Sequence, residues 1–210
     1  MAEQTAIRRR GRPPGVTTAH CDTRTALIRH GMAVLTEHGF IGTGIEPLLK
    51  QVGVPKGSFY HYFSSKDAFG YAVLDHYAAY FARKLDRWLE DDTRPPLQRL
   101  ADFIADASAG MARYDFRRGC LVGNLGQELG AAHDGFRERL EAILRDWQDR
   151  VRRCLEAAQA RGDLAPAADC RAWAEFFWIG WEGAVLRAKL MRSGAPLKRF
   201  AELFFAGLPR

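Results

Sequence analysis

No stretch of the sequence approaches the roughly 20 uninterrupted apolar residues that a membrane-spanning helix needs, so no span is expected. Its beginning, Met1 to Arg12, is polar and then basic with no apolar segment behind it, unlike a secretory signal. Cysteine is sparse. Cys21, Cys120, Cys154 and Cys170 lie far apart, with no C-x-x-C pair and no histidine at zinc-ligand spacing. A disulfide framework or a zinc site is therefore not expected, and any special cysteine here is special through its thiol. A Gly-rich phosphate loop, a metal cluster and paired carboxylates are all missing, which leaves no cofactor site and no enzyme chemistry to point to. Alternating runs long enough for a sheet are also lacking. What remains is a cytoplasmic, all-α protein.

What is present is positive charge, unevenly spread. The formal net charge is +6, which favours an anionic partner. From Met1 to Lys66 there are nine Lys/Arg against four Asp/Glu, while the rest of the chain carries 22 against 21. The excess sits at the N-terminal end. Residues 1–20 lack helical periodicity and hold Arg8, Arg9, Arg10, Gly11, Arg12, Pro13, Pro14 and Gly15, which reads as a flexible basic arm. Arg10-Gly11-Arg12-Pro13 has the shape of an AT-hook core, whose two guanidiniums suit a narrow minor groove. The alternative is a solvated basic tail.

Residues 21–66 read as a three-helix domain. A first helix runs from about Asp22, a good N-cap, to Gly39, with Leu27, Ile28, Val34 and Leu35 on its apolar face. A short second helix follows Gly44 and ends at Gly53, with Pro47 in its first turn. A third runs from Pro55 to about Phe63. Ser64 and Asp67 form a capping-box pattern for a long fourth helix, and further helical patterns fill 67–210. The third helix turns Phe59 and Phe63 inward, one turn apart, and presents Lys56, Gly57, Ser58, Tyr60, His61 and Tyr62 outward. Small residues allow close backbone approach, while hydroxyls and a cation reach phosphates or base edges in a major groove. Lys66 adds its charge at the positive end of the next helix. Taken one at a time, Tyr60, His61 and Tyr62 read more simply as aromatics packed on a neighbour; the whole constellation points to DNA.

The run Gly53-Val54-Pro55-Lys56-Gly57-Ser58-Phe59-Tyr60-His61-Tyr62-Phe63-Ser64-Ser65-Lys66 resembles the TetR/AcrR family of regulators. The resemblance implies an N-terminal helix-turn-helix domain and a C-terminal helical domain for ligand binding and dimerisation. It assigns Tyr60, Tyr62 and Lys66 to phosphates, Lys56, Gly57, Ser58 and His61 to base reading, and Thr43 to the backbone. Two positions depart from the family pattern: Gly44 stands where Ser or Thr caps the second helix, and Glu46 where a base is often found. The partners implied are a palindromic double-stranded operator, a small-molecule effector and a second copy of the chain. The two reading helices would sit about one DNA turn apart, roughly 34–36 Å, with the fourth helix as the lever between domains.

In the C-terminal part, Ala172 to Ala188 is apolar on nearly every face, so burial on more than one side is expected. The family pairs its last two helices with their symmetry mates. Trp178 and Trp181 read as core or interface first and pocket lining second. Glu182 in this aromatic helix must be paired, for instance with Arg187, protonated, exposed, or aimed at a ligand.

Cys120 follows Arg117 and Arg118 and starts a short helix, two features that lower a thiol pKa. Asn124 lies one turn on. The G-C-L motif at Gly119, together with the third helix, resembles a TetR subgroup that answers reactive electrophiles, or acrylate and its thioester. The matching cysteine is the sensing residue in the electrophile sensors. An inert buried cysteine remains the alternative, and a thiol enzyme would need His133 as its base. An architectural DNA binder would have no use for so large a C-terminal domain.

Overall fold

The structure, a computed structural model, describes the backbone of residues 16–210 and side chains from residue 23 onward. Arg10 and Arg12 of the expected minor-groove arm lie outside the described residues. Within them the chain is all-helical, as expected, with nine helices in sequence.

The first three helices are α1 (Val16–His38), α2 (Ile45–Val52) and α3 (Lys56–Tyr62). The start of α1 lies six residues before Asp22. The physical reason is that no proline or glycine follows Gly15 until Gly31, so nothing stops the helix from running back to Val16. The α2–α3 turn depends on Gly53. Its φ of 71° is left-handed, and its N–H bonds to the Leu49 and Lys50 carbonyls that end α2. A side chain there would strain the turn. Phe59 and Phe63 point inward as expected, each edge-on to Phe69 with ring centroids 5.5 and 5.1 Å apart.

The long α4 (Lys66–Leu89) is capped by Ser65, whose Oγ accepts from the Ala68 N–H at 3.0 Å. The expected capping box on Ser64 is thus displaced by one residue. Phe63 is buried as the C-cap of α3, so Ser64 belongs to the linker and the next hydroxyl takes the cap.

The second domain comprises α5 (Pro96–Ala112), α6 (Leu121–Leu129), α7 (Asp134–Ala160), α8 (Cys170–Met191) and α9 (Ala195–Gly207). α7 packs on α4, α5, α6 and α8, and α9 packs on α8. The core is aromatic: Trp147 stacks against Phe81 at 4.4 Å and Trp178 at 5.0 Å, and Phe177 meets Phe204 at 5.1 Å. Aromatic truncation in such a core costs about 3–5 kcal/mol.

The two domains are locked where α6 crosses the end of α1. Helix ends leave carbonyls without intrahelical partners, and here the second domain supplies them. Asn124 Nδ2 donates to the Thr36 carbonyl at 2.9 Å and to that of Leu35 at 3.3 Å. The Gly119 N–H reaches the Thr36 carbonyl at 3.3 Å. From α8, Lys189 Nζ donates to the Thr36 and Glu37 carbonyls at 3.3 and 3.2 Å, a cation at the negative end of α1. Glu128 Oε2 accepts from the Phe40 and Ile41 N–H groups, both at 2.7 Å, in the turn that follows.

Candidate DNA-reading surface and effector cavity

The outer face of α3 is laid out as the sequence suggests. Lys56, Gly57, Tyr60 and His61 are exposed, and Ser58 and Tyr62 are half-buried. Space around the Gly57 Cα is open, so a backbone could approach it closely. Lys56 does not stand alone: its Nζ lies 2.5 Å from Glu46 Oε1 on α2. The pairing lowers the Glu46 pKa and raises that of Lys56. Lys66 lies over the Phe40 ring at 4.7 Å and donates to the Ile41 carbonyl at 3.4 Å. Thr43 is placed differently from the expectation. It is buried, and its hydroxyl donates to the Gly39 carbonyl at 2.6 Å. The hydroxyl braces the α1–α2 turn.

Between the domains lies a cavity of about 700 Å³ bounded by α1, α4, α5, α6 and α8. One end is formed by Tyr77, Cys120, Trp181 and Glu182, with Thr36 of α1 in the same wall. Around the rest stand Arg83, Lys84, Arg87, Arg113 and Arg118. Lys84 pairs with Asp106 at 2.8 Å, and Arg118 pairs with Glu37 at 3.3 Å while covering the Tyr114 ring.

Of the residues singled out in the C-terminal part, Cys120, Trp181 and Glu182 come together on this cavity. Trp178 and Asn124 do not. Trp178 is buried in the aromatic core behind the wall, and Asn124 turns to α1. Glu182 has no arginine: Oε1 is shielded from solvent and lacks a hydrogen-bond partner. Its other oxygen packs where a side chain on Gly123 would have to stand, so that glycine makes room for the carboxylate. Burial pushes the Glu182 pKa up to about 7, with the Cys120 thiol pulling the other way.

The thiol differs from the expectation. Cys120 is the N-cap of α6 but its sulfur makes no capping hydrogen bond, and burial and then the charge of Glu182 hold its pKa well above the ordinary value. Arg117 is exposed and Arg118 is paired with Glu37, so neither arginine leads to the sulfur. Tyr77 completes the group. It stands on the same cavity wall as the thiol, and its pKa is raised first by burial and then by Cys120 and Glu182. Tyr77 belongs to the buried face of α4 by spacing, and its polar tip beside a cavity is invisible to periodicity. His133, the base a thiol enzyme would need, lies elsewhere as the N-cap of α7, 3.5 Å from Asp67.

Comparison with known proteins agrees with this layout. The signature of bacterial regulatory proteins of the tetR family matches residues 27–70, and that of the tetracyclin repressor-like C-terminal domain matches residues 96–204. The transcriptional regulator AcuR of Cereibacter sphaeroides is 50% identical over 93% of this chain and 89% of its own. The chain belongs to the TetR family. The transcriptional repressor NemR of Escherichia coli is 33% identical over 84% of this chain and 89% of its own. A crystal structure of a regulatory protein TetR from Rhodobacter sphaeroides superposes with a TM-score of 0.86 at 49% identity, covering 89% of this chain and 98% of that one. As a TetR-family member with an AcuR- and NemR-like sequence, the chain is a DNA-binding transcriptional regulator, and the relatives it matches are regulators rather than enzymes. Among the described residues, no helix is long and apolar enough to cross a membrane.

Proposed function

We propose that this chain is a cytoplasmic repressor that binds a palindromic operator as a homodimer. It leaves the DNA when a small molecule, acrylate or another soft electrophile or its thioester, occupies the cavity beside Cys120. The observation that carries this reading is the position of that cavity: its wall contains both Cys120 and Thr36, the residue of α1 on which the second domain is anchored. A ligand there acts directly on the seat of the reading domain. It weakens operator binding by as much as its affinity differs between the two arrangements. The similarity to AcuR and NemR favours the effector class. In the DNA-bound form, Lys56, Gly57, Ser58 and His61 read bases, and Tyr60, Tyr62 and Lys66 hold phosphates, with Arg10 and Arg12 in the adjacent minor groove. The homodimer is supported by the outer face of α8, where Phe176, Ile179, Leu186 and Leu190 recur at helical spacing and stand exposed in the single chain.

A second reading has Cys120 react covalently. It is favoured by the sulfur's place on the cavity wall next to an acid and a phenol. The experiment for both is an operator titration on DNA upstream of the protein's own gene, with and without acrylate or N-ethylmaleimide, using wild type and Cys120→Ala. Release by either compound supports the repressor, and loss of the response in the variant supports sensing at Cys120. Tight binding that neither compound disturbs rejects the effector class and leaves the DNA-binding assignment standing.

A further inference from the structure

The Cys120 thiol is held in its neutral form by burial and by the carboxylate beside it, whereas conjugate addition needs the thiolate. A thiol so placed reacts only if its proton is taken during the attack. Carboxylates that could take it are few in this cavity. From α4 the cavity is faced by Tyr77, Tyr80, Arg83, Lys84 and Arg87, and from α5 by Asp106. The turn before α6 adds Arg113, Tyr114 and Arg118; α1 supplies Met32, Ala33 and Thr36, none of them ionisable. Asp106 is already committed, to Lys84 at 2.8 Å and to the Trp88 indole N–H at 3.2 Å. Glu182 is left. It shares the cavity wall with Cys120, its Oε1 is buried without a partner, and its other oxygen and the Cys120 Cβ both flank the space that Gly123 leaves open. An unpaired acid in such a place is costly to burial and marks a group with a task.

We propose that Glu182 is the proton acceptor for Cys120 when the thiol adds to an activated double bond. This rests on the covalent reading above and deepens it. As the Cys120 sulfur bonds to the carbon β to a carbonyl, its proton passes to the Glu182 carboxylate. The π pair of the double bond moves to the α-carbon and is held as an enolate on the carbonyl oxygen. The Glu182 carboxylic acid then returns the proton to the α-carbon. The net change is addition of S–H across C=C, and no oxidant enters. The Tyr77 phenol stands on the same cavity wall and favours charge on the sulfur as it develops.

The test follows alkylation of Cys120 by N-ethylmaleimide on the full chain, read by peptide mass spectrometry from pH 5.5 to 9, in wild type and Glu182→Gln. With Glu182 as acceptor, the wild-type rate climbs with pH and levels near pH 7, where the carboxyl is half ionised. The variant is slower at pH 7 by about 100-fold, the lower end of what a positioned base supplies, and its rate climbs tenfold per pH unit without levelling. If Glu182 acts only as a charge that suppresses the thiolate, the variant is faster at every pH, and the proposal falls while covalent sensing stands. A wild-type Cys120 that does not react at all removes both. Should Glu182→Gln fail to fold, the wild-type profile decides alone: levelling supports the acceptor, and an unbroken climb through pH 9 rejects it.

Discussion

A carboxylate on a surface meant for phosphates opposes binding unless it holds something in place. Glu46 is such a carboxylate, with its pair to Lys56 at 2.5 Å and both side chains mostly exposed. An exposed pair contributes little to stability, so its weight falls on what Lys56 can reach. In the proposed complex, Glu46 competes with the DNA for Lys56. Glu46→Gln is therefore expected to tighten operator binding. It should also steepen the fall of log K with log salt by about one for each subunit, the change due to one added phosphate contact. Fluorescence-anisotropy titrations at a series of salt concentrations measure this; an unchanged slope would mean that Lys56 stays off the backbone even when released. The departure at Glu46 was legible as a residue out of place, but its partner was not, because ten positions and a turn separate them. The same limit hid the thiol's chemistry. Arg117 and Arg118 are neighbours of Cys120 in sequence, while burial and then Glu182 on α8 set its ionisation, with Tyr77 on α4 opposing them.

Helices declare themselves through local spacing, and most here were legible: the short α2 and α3, the glycine turn between them, and the inward Phe59 and Phe63 all follow from the residue order. Errors arose where two neighbours could do one job, as with Ser64 and Ser65 at the start of α4, or where a good N-cap stood inside a longer helix, as with Asp22 in α1. What spacing could not give is how α6 meets α1. Asn124 and Glu128 are one turn apart on α6, the first gripping carbonyls at the end of α1 and the second gripping the N–H groups of the turn after it. The helix that begins at Cys120 is thereby fixed to the reading domain at two points. A shift of α6 by a ligand must move α1 or break these bonds. Asn124→Ala combined with Glu128→Gln is expected to leave effector binding intact and operator binding within a few-fold of wild type. It should remove most of the effector's influence, on the order of 1–3 kcal/mol, or about 5–150-fold in operator affinity. Paired operator titrations with and without saturating N-ethylmaleimide supply the numbers. A full response in the double variant would return the coupling to α4 or to the remaining Gly119 and Lys189 contacts with the end of α1.

One chain by itself leaves an unfinished surface. Along α8, Phe176, Ile179, Leu186 and Leu190 lie at spacings of three, seven and four, which returns each to the same side of the helix. Ile179 and Leu190 are 66% and 69% exposed, and Leu203 on α9 is 64% exposed, values at which a monomer would carry an apolar patch in water. Gly183 sits within the row with open space above it, so a partner helix could approach the backbone closely. In the proposed homodimer, a two-fold axis through this face would bury the row against its own copy. That arrangement matters more for the operator than for the fold. A single helix-turn-helix binds one half-site, and joining two turns the second contact into an intramolecular one, worth about 10²–10⁴ in affinity. Ile179→Glu places a charge in the middle of the row without touching the aromatic core on the other side of α8. The variant is expected to keep its helical circular dichroism and to sediment as a monomer at micromolar concentration. Its affinity for the full palindrome should fall by about 100-fold or more, while that for an isolated half-site stays unchanged. A variant that remains dimeric would place the interface elsewhere, and a monomer with undiminished operator affinity would mean that one copy reads the site alone.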